Sequence, residues 1–146
     1  MKYLHTMVRV HDLESSLAFY CNVLGLVETE RRESEAGEYT LVYLAAREDR
    51  GQVNAERAPL LELTYNWDRE AYKGGRNCGH LAYQVDDIYA LCEKVLEQNI
   101  TLNVPPSDGH MAFFRSPDNI SIELLQKGDP LPVVEPWASM QVSGEW

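Results

Sequence analysis

The chain is poor in cysteine, has no basic run and contains no apolar stretch long enough to cross a membrane. Cys21, Cys78 and Cys92 show no CxxC spacing. Two of them fall on apolar faces of predicted helices, where a thiol behaves as a small hydrophobe, so reduced cysteines in a cytosolic protein are expected. Lysine and arginine number 13 against 23 acidic residues, for a formal charge of −10. With no cationic patch to neutralise phosphates, neither a nucleic-acid partner nor an acidic membrane partner is indicated. Met1 and Lys2 lead straight into a strand pattern without the apolar core of a signal peptide, which predicts a cytoplasmic location.

What the chain does have is a repeat. Residues 79–88 (Gly-His-Leu-Ala-Tyr-Gln-Val-Asp-Asp-Ile) restate the N-terminal run from His5 to Leu13 at a constant offset of 75, so that His5 falls on His80, Val10 on Val85 and Asp12 on Asp87. A second pair closes each half: Leu61-Glu62-Leu63 and Ile122-Glu123-Leu124 set a carboxylate between apolar residues, at an offset of 61. At 146 residues the chain suits one domain, or two small half-domains sharing a core. The boundaries expected are residues 1–70 and 71–128 for two β-α-β-β-β modules, then a proline-rich tail over 129–146.

Within the first module, Leu4 to Val10 reads as a strand and Asp12 caps a helix reaching about Val23, with Gly25 placed to end it. Tyr39 to Ala45 is a β-branched and aromatic strand, residues 46–58 an exposed loop, and Leu60 to Tyr65 the strand carrying Glu62. In the second module His80 to Val85 is a strand, and Asp86 or Asp87 caps a helix with apolar Ile88, Leu91, Cys92, Val95 and Leu96. A short strand spans Thr101 to Val104. A hairpin of His110 to Arg115 and Ser121 to Gln126 then turns at Pro117-Asp118-Asn119, where Asn119 suits the left-handed conformation. Trp137 and Trp146 are positioned to dock the tail on the body. The fold class expected is α+β, with two tandem βαβββ modules forming a curved mixed sheet around a metal site.

A single histidine at a strand start is ordinarily structural, and strand alternation allows Glu62 and Glu123 to face solvent. Two histidines and two glutamates in register across a repeat are harder to explain by accident. Together they make a mixed nitrogen and oxygen set suited to octahedral divalent metals such as nickel, cobalt or manganese, with room for water or substrate oxygens. A metal so held polarises a carbonyl or hydroxyl while a neighbouring carboxylate removes an adjacent carbon proton.

The runs Leu4 to Val10, Asp12 to Tyr20, Leu24-Gly25, Leu61-Glu-Leu-Thr-Tyr-Asn-Trp67, Gly79-His80, Pro117-Asp118 and Ile122-Glu123-Leu124 closely resemble the glyoxalase I family of the vicinal-oxygen-chelate superfamily, over about residues 3–127. The resemblance implies that His5, Glu62, His80 and Glu123 are the metal ligands. It makes Glu123 the base that moves a proton between the two carbons of a hemithioacetal, and Glu62 a ligand and second candidate base. It implies isomerisation of the methylglyoxal–glutathione adduct to S-lactoylglutathione, by a homodimer whose sites take His5 and Glu62 from one chain and His80 and Glu123 from the other. The short connector before His80 is similar to the compact form that prefers nickel or cobalt over zinc. Arg9 and Asn66 match positions that hold the glutamyl end of the thiol, and Arg69, Lys73 and Arg76 add local positive charge.

One departure stands out: Ser107-Asp108-Gly109-His110 occupies the place where many glutathione-using members carry a Lys-Gly pair. That loop is similar to the one in trypanosomatid members, which take the cationic polyamine conjugate trypanothione. Ser-Asp-Gly is also an ordinary turn, and glutathione remains the first expectation. His110 lies close enough in sequence to face the site. Two other readings keep the fold: a thiol transferase or ring-cleaving dioxygenase, which uses a His-His-Glu triad, and a non-catalytic binding module without the metal set.

Overall fold

The computed structural model describes residues 2–56, 59–68, 70–75 and 78–143. Arg69, Arg76 and Trp146, singled out in the sequence, lie outside the described residues. The chain forms two compact units, Met1–Lys73 and Gly74–Trp146. Each unit carries its own four-stranded mixed sheet, and the two have the same topology.

In the first unit the strands are β1 (His5–Arg9), β2 (Val27–Ser34), β3 (Tyr39–Ala45) and β4 (Leu60–Asn66), ordered β1-β4-β3-β2. β1 runs parallel to β4, and β4-β3-β2 are antiparallel. Alternation along β3 and β4 sends Val42, Leu44, Leu61 and Leu63 to one buried face. The matching helical residues are Phe19, Tyr20 and Val23, all buried, with the two rings edge to face at 5.0 Å.

The helix that supplies them starts where the sequence predicts, at α1 (Leu13–Leu17), with the Asp12 carboxylate accepting from the Ser15 amide at 2.8 Å. It then widens into a π-helical turn, Ala18–Val23, closed by Leu24 N–H to Phe19 O at 3.1 Å. Gly25, at φ +80°, takes the left-handed conformation that stops it.

Two elements escape the sequence pattern. β2 (Val-Glu-Thr-Glu-Arg-Arg-Glu-Ser) lacks an apolar face because it is an edge strand, paired with β3 at the end of the sheet, with a bulge between Glu28 and Glu30. Its charges pair with one another instead: Arg31 grips Glu28 through two bonds of 2.8 and 2.9 Å. The expected loop over 46–58 contains a short helix, α2 (Arg50–Glu56), whose Val53 is buried.

The second unit repeats the plan with β5 (His80–Val85), α3 (Ile88–Glu97), β6 (Leu102–Val104), β7 (Met111–Arg115) and β8 (Ser121–Gln126), in the sheet order β5-β8-β7-β6. Asp87, rather than Asp86, caps α3, accepting from Ala90 N–H at 3.0 Å. Gln126 ties the same helix end to the end of β8. Its side-chain oxygen accepts from Ile88 N–H at 2.9 Å, and its amide donates to Asp86 O at 2.8 Å. Asn119 has φ 64°, as its place in the hairpin turn requires.

The tail straps onto this unit. Trp137 is buried and stacks on Tyr89 at 5.7 Å, and the Tyr89 hydroxyl donates to Pro132 O at 2.9 Å. Asn103 and Ser143 exchange backbone and side-chain bonds farther on. Gly109 sits at φ +71° with the Leu131 carbonyl so near that a Cβ would collide with its oxygen, so only glycine fits under the strap.

Among the described residues no helix is long and apolar enough to cross a membrane. The three cysteines are free: Cys92 buried, Cys21 half-buried, Cys78 exposed. Burial pushes the Cys92 thiol up to about 12, so it stays protonated and unreactive at neutral and mildly alkaline pH. A disulfide reagent at pH 8 is therefore expected to titrate Cys78 at once and Cys92 only after denaturant is added. Rapid modification of all three thiols in the native protein would contradict this packing.

Candidate metal and catalytic centre

Each unit brings one histidine onto one glutamate, and does so in the same way. In the first, β1 and β4 are parallel with Met7 beside Glu62, so His5, two residues earlier, leans along the shared face toward the carboxylate. His5 Nε2 stands 3.2 Å from Glu62 Oε2. In the second, Ala82 pairs with Glu123, and His80 Nε2 stands 3.0 Å from Glu123 Oε2. Exposure is matched as well: the imidazoles are 37% and 40% accessible, the carboxylates 11% and 13%. These are partly dry carboxylates, each beside an exposed imidazole.

The offset of 75 between the histidines and of 61 between the glutamates thus marks register, not merely composition. Among the described residues no three His, Cys, Asp or Glu side chains gather into a metal-holding group. The four predicted ligands occur as two pairs, one in each unit.

The pairs fit a divalent ion. Two donors each about 2.1 Å from one ion, at right angles, stand about 3 Å apart, which is the spacing found here between ring nitrogen and carboxylate oxygen. Nitrogen and oxygen donors without thiolate suit six-coordinate nickel, cobalt or manganese better than a closed zinc site.

The surroundings of the two pairs agree in shape and differ in polarity. Across each antiparallel pairing an aromatic residue stands directly opposite the glutamate, Tyr43 beside Glu62 and Phe113 beside Glu123. Each ring also meets its histidine edge-on, at 5.9 Å for Tyr43 and 5.4 Å for Phe113. The Tyr43 phenol is pushed up, by burial first and then by its hydrogen bond to the Glu62 carboxylate, so it is a hydroxyl donor at neutral pH. Arg32 lies over the Tyr43 ring at 5.7 Å and pairs with Glu30. Thr64 adds a second hydroxyl, 3.4 Å from Glu62 Oε1. Neither Tyr43 nor Thr64 stands out as a candidate in the sequence; pairing Tyr39–Ala45 against Leu60–Asn66 would have found both.

Of the other candidates, Arg9 lies on β1 at the alternation that carries His5, and Asn66 on β4 at the one that carries Glu62. Both therefore share a sheet face with the ligand pair. Arg9 is exposed, and Asn66 donates through Nδ2 to the Tyr72 hydroxyl at 3.2 Å. In the Ser107–His110 loop Asp108 shapes the turn itself, with its Oδ1 accepting from His110 N–H at 2.8 Å and Met111 N–H at 3.0 Å. His110 keeps Nδ1 buried, without a hydrogen-bond partner among the described residues.

Comparison with known proteins falls on the same ground. Residues 2–124 match the family model for the Glyoxalase/Bleomycin resistance protein/Dioxygenase superfamily. The probable lactoylglutathione lyase of Vibrio parahaemolyticus is 40% identical over 128 residues, covering 84% of this chain and 88% of the relative. The lactoylglutathione lyase of Neisseria meningitidis is 40% identical over 132 residues, covering 87% and 91%. Among solved structures, the trypanothione-dependent glyoxalase I of Leishmania major superposes with a TM-score of 0.74 at 33% identity, covering 86% of each chain.

Proposed function

We propose that this chain, which belongs to the Glyoxalase/Bleomycin resistance protein/Dioxygenase superfamily, is a lactoylglutathione lyase that isomerises the methylglyoxal–glutathione hemithioacetal to S-lactoylglutathione. The observation that carries the reading is the matched pair: one His–Glu couple per unit, at equivalent register, equally spaced and equally exposed. The 40% identity to lactoylglutathione lyases over most of both chains supports the same activity.

In this reading His5, Glu62, His80 and Glu123 hold one divalent ion, nickel or cobalt in preference to zinc. The ion supplies Lewis acidity, polarising the substrate oxygens and offsetting the negative charge that develops on them. The rest of the chemistry belongs to the chain. Glu123 takes the proton from the carbon bonded to sulfur, leaving an enediolate, and returns it to the neighbouring carbon that began as the ketone. The hydroxyl proton moves to the other oxygen, so the carbon–sulfur bond becomes a thioester with no net oxidation. A carboxylate performs both transfers because it remains beside the two carbons throughout. Glu62, on the opposite module, is ligand and second candidate base. Arg9 and Asn66 offer a cation and an amide to the carboxylate end of the thiol.

The assembly proposed is a cytoplasmic homodimer in which each site takes His5 and Glu62 from one chain and His80 and Glu123 from its partner. Tyr3 and Leu4, just before the edge strand β1, and Met7 within it are exposed by 61%, 47% and 40% in the single chain, apolar area of the kind a second subunit covers. Free cysteines accord with the cytoplasm.

A specific departure favours a second thiol. No lysine stands in Ser107–His110 to meet a glycyl carboxylate, and Asp108 places a negative charge there. Stripping metal with chelator, restoring Ni2+, Co2+ or Zn2+ separately, and following thioester formation from methylglyoxal with glutathione and then trypanothione tests both readings. Activity lost on chelation and regained with Ni2+ or Co2+ and glutathione is the expected result. Turnover with trypanothione alone would move the substrate to the cationic thiol, and failure to retain any of the three metals would overturn the proposal.

A further inference from the structure

The two modules are so alike around their glutamates that the difference between them is informative. Relative to each carboxylate, three neighbouring positions correspond: the histidine on the parallel strand, the aromatic ring on the antiparallel strand, and the residue two places on. For Glu62 these are His5, Tyr43 and Thr64; for Glu123 they are His80, Phe113 and Leu125. The imidazoles are the same and the rings pack on them in the same edge-on manner. Both remaining positions change in one direction, from hydroxyl to hydrocarbon.

Three polar groups consequently surround Glu62: His5 Nε2 at 3.2 Å, the Thr64 hydroxyl at 3.4 Å, and the phenol of Tyr43, which stands directly opposite it in the strand register. Among the described residues Glu123 has a side-chain bond to His80 alone. The surroundings of Tyr43 add stiffness, since Arg32 stacks over its ring and is itself paired with Glu30. A carboxylate with hydroxyls and an imidazole around it is held to one orientation, whereas one that faces a phenyl ring and has hydrocarbon two places on can turn about its side-chain torsions.

We infer that Tyr43 and Thr64 are positioning residues that anchor Glu62 as a fixed ligand, and that the hydrocarbon at Phe113 and Leu125 leaves Glu123 the freedom to carry a proton between two carbons. The division of labour between two like carboxylates is thus set by two hydroxyl groups that touch neither substrate carbon. The inference rests on the lyase reading for the proton transfer, but the anchoring stands on the geometry of the first unit alone.

Metal affinity separates the two. Competition with a chromophoric chelator for Co2+ is expected to show about tenfold weaker binding in Tyr43→Phe and in Thr64→Val, as for other groups that orient a ligand from behind, and wild-type affinity in Thr64→Ser, which keeps the hydroxyl. In turnover, Phe113→Tyr supplies Glu123 with the anchor it lacks, so kcat is expected to fall several-fold with KM unchanged. Adding Tyr43→Phe to Glu123→Gln frees the remaining carboxylate and is expected to raise the residual rate. Unchanged Co2+ affinity in both Tyr43→Phe and Thr64→Val overturns the anchoring, whatever the enzyme does. Weakened affinity in the two variants, together with a wild-type protein that turns over no hemithioacetal, upholds the anchoring and rejects the lyase reading instead. If Phe113→Tyr melts below the wild type, the affinities of Tyr43→Phe and Thr64→Val still decide, because both substitutions keep the shape of the side chain.

Discussion

Replacing Glu123 with glutamine is expected to lower kcat for thioester formation by about 10²- to 10⁴-fold, the range a positioned general base contributes, with little change in KM. The substitution is isosteric, and the amide keeps an oxygen toward the metal position, so the ion and the substrate should both still bind. What is removed is the capacity to accept the carbon-bound proton. A loss confined to kcat identifies an interaction made in the transition state rather than in binding.

The same change at Glu62 should behave differently. Glu62 is tied by Tyr43, Thr64 and His5, and its replacement by glutamine disturbs a hydrogen-bonded ligand, so weaker metal binding should dominate and excess Ni2+ should recover much of the rate. Steady-state kinetics of both variants across a Ni2+ titration separates the two roles. Equal losses in kcat at saturating metal would mean that the two carboxylates share the proton transfer, and a larger loss at Glu62 would reverse the assignment.

Much of this arrangement is legible in the sequence because a repeat constrains more than a motif does. His5 and His80 each open a strand, and Glu62 and Glu123 each interrupt an apolar run. That the two offsets differ, 75 and 61, follows from the longer middle of the first module, where β2 and α2 add length that β6 and its loops do not. Capping residues, the Asn119 turn and the helical faces can likewise be read directly, since each depends on neighbours within a few positions. β2 could not: an edge strand with one partner needs no apolar alternation, and its glutamates and arginines pair along the strand instead. The π-helical turn is hidden for a related reason, because Phe19, Tyr20 and Val23 suit an ordinary helical face and only the bond from Leu24 to Phe19 reveals the extra residue.

The contrast between Tyr43 and Phe113 depends on which residue of β3 or β7 faces which residue of β4 or β8. Strand register is fixed by which apolar faces are buried together and by the turns between strands, not by the identity of one residue. Tyr43 is therefore visible in the sequence as a strand residue but not as the neighbour of a carboxylate.

Two inactive variants are expected to restore one another. In the proposed homodimer a chain carrying His5→Ala and Glu62→Ala has lost its first-module pair, and a chain carrying His80→Ala and Glu123→Ala has lost its second. Each homodimer then contains two half-empty sites and should be without measurable turnover. When the two chains are unfolded and refolded together, each mixed dimer combines the intact first module of one chain with the intact second module of the other at one site, and the two damaged modules at the other. Random pairing makes half the dimers mixed, with one working site in two, so about a quarter of the wild-type specific activity should return under twofold symmetry. The recovered rate should vanish on chelation and, with one chain held fixed and the other varied, scale as the product of the two chain concentrations divided by their sum. A site assembled within a single chain gives the opposite result, since neither variant then contributes a complete set and no mixture regains activity. The experiment needs no structure of the assembly, and it asks directly whether two like modules, each holding one imidazole and one carboxylate 3.0 to 3.2 Å apart, complete each other across a subunit boundary.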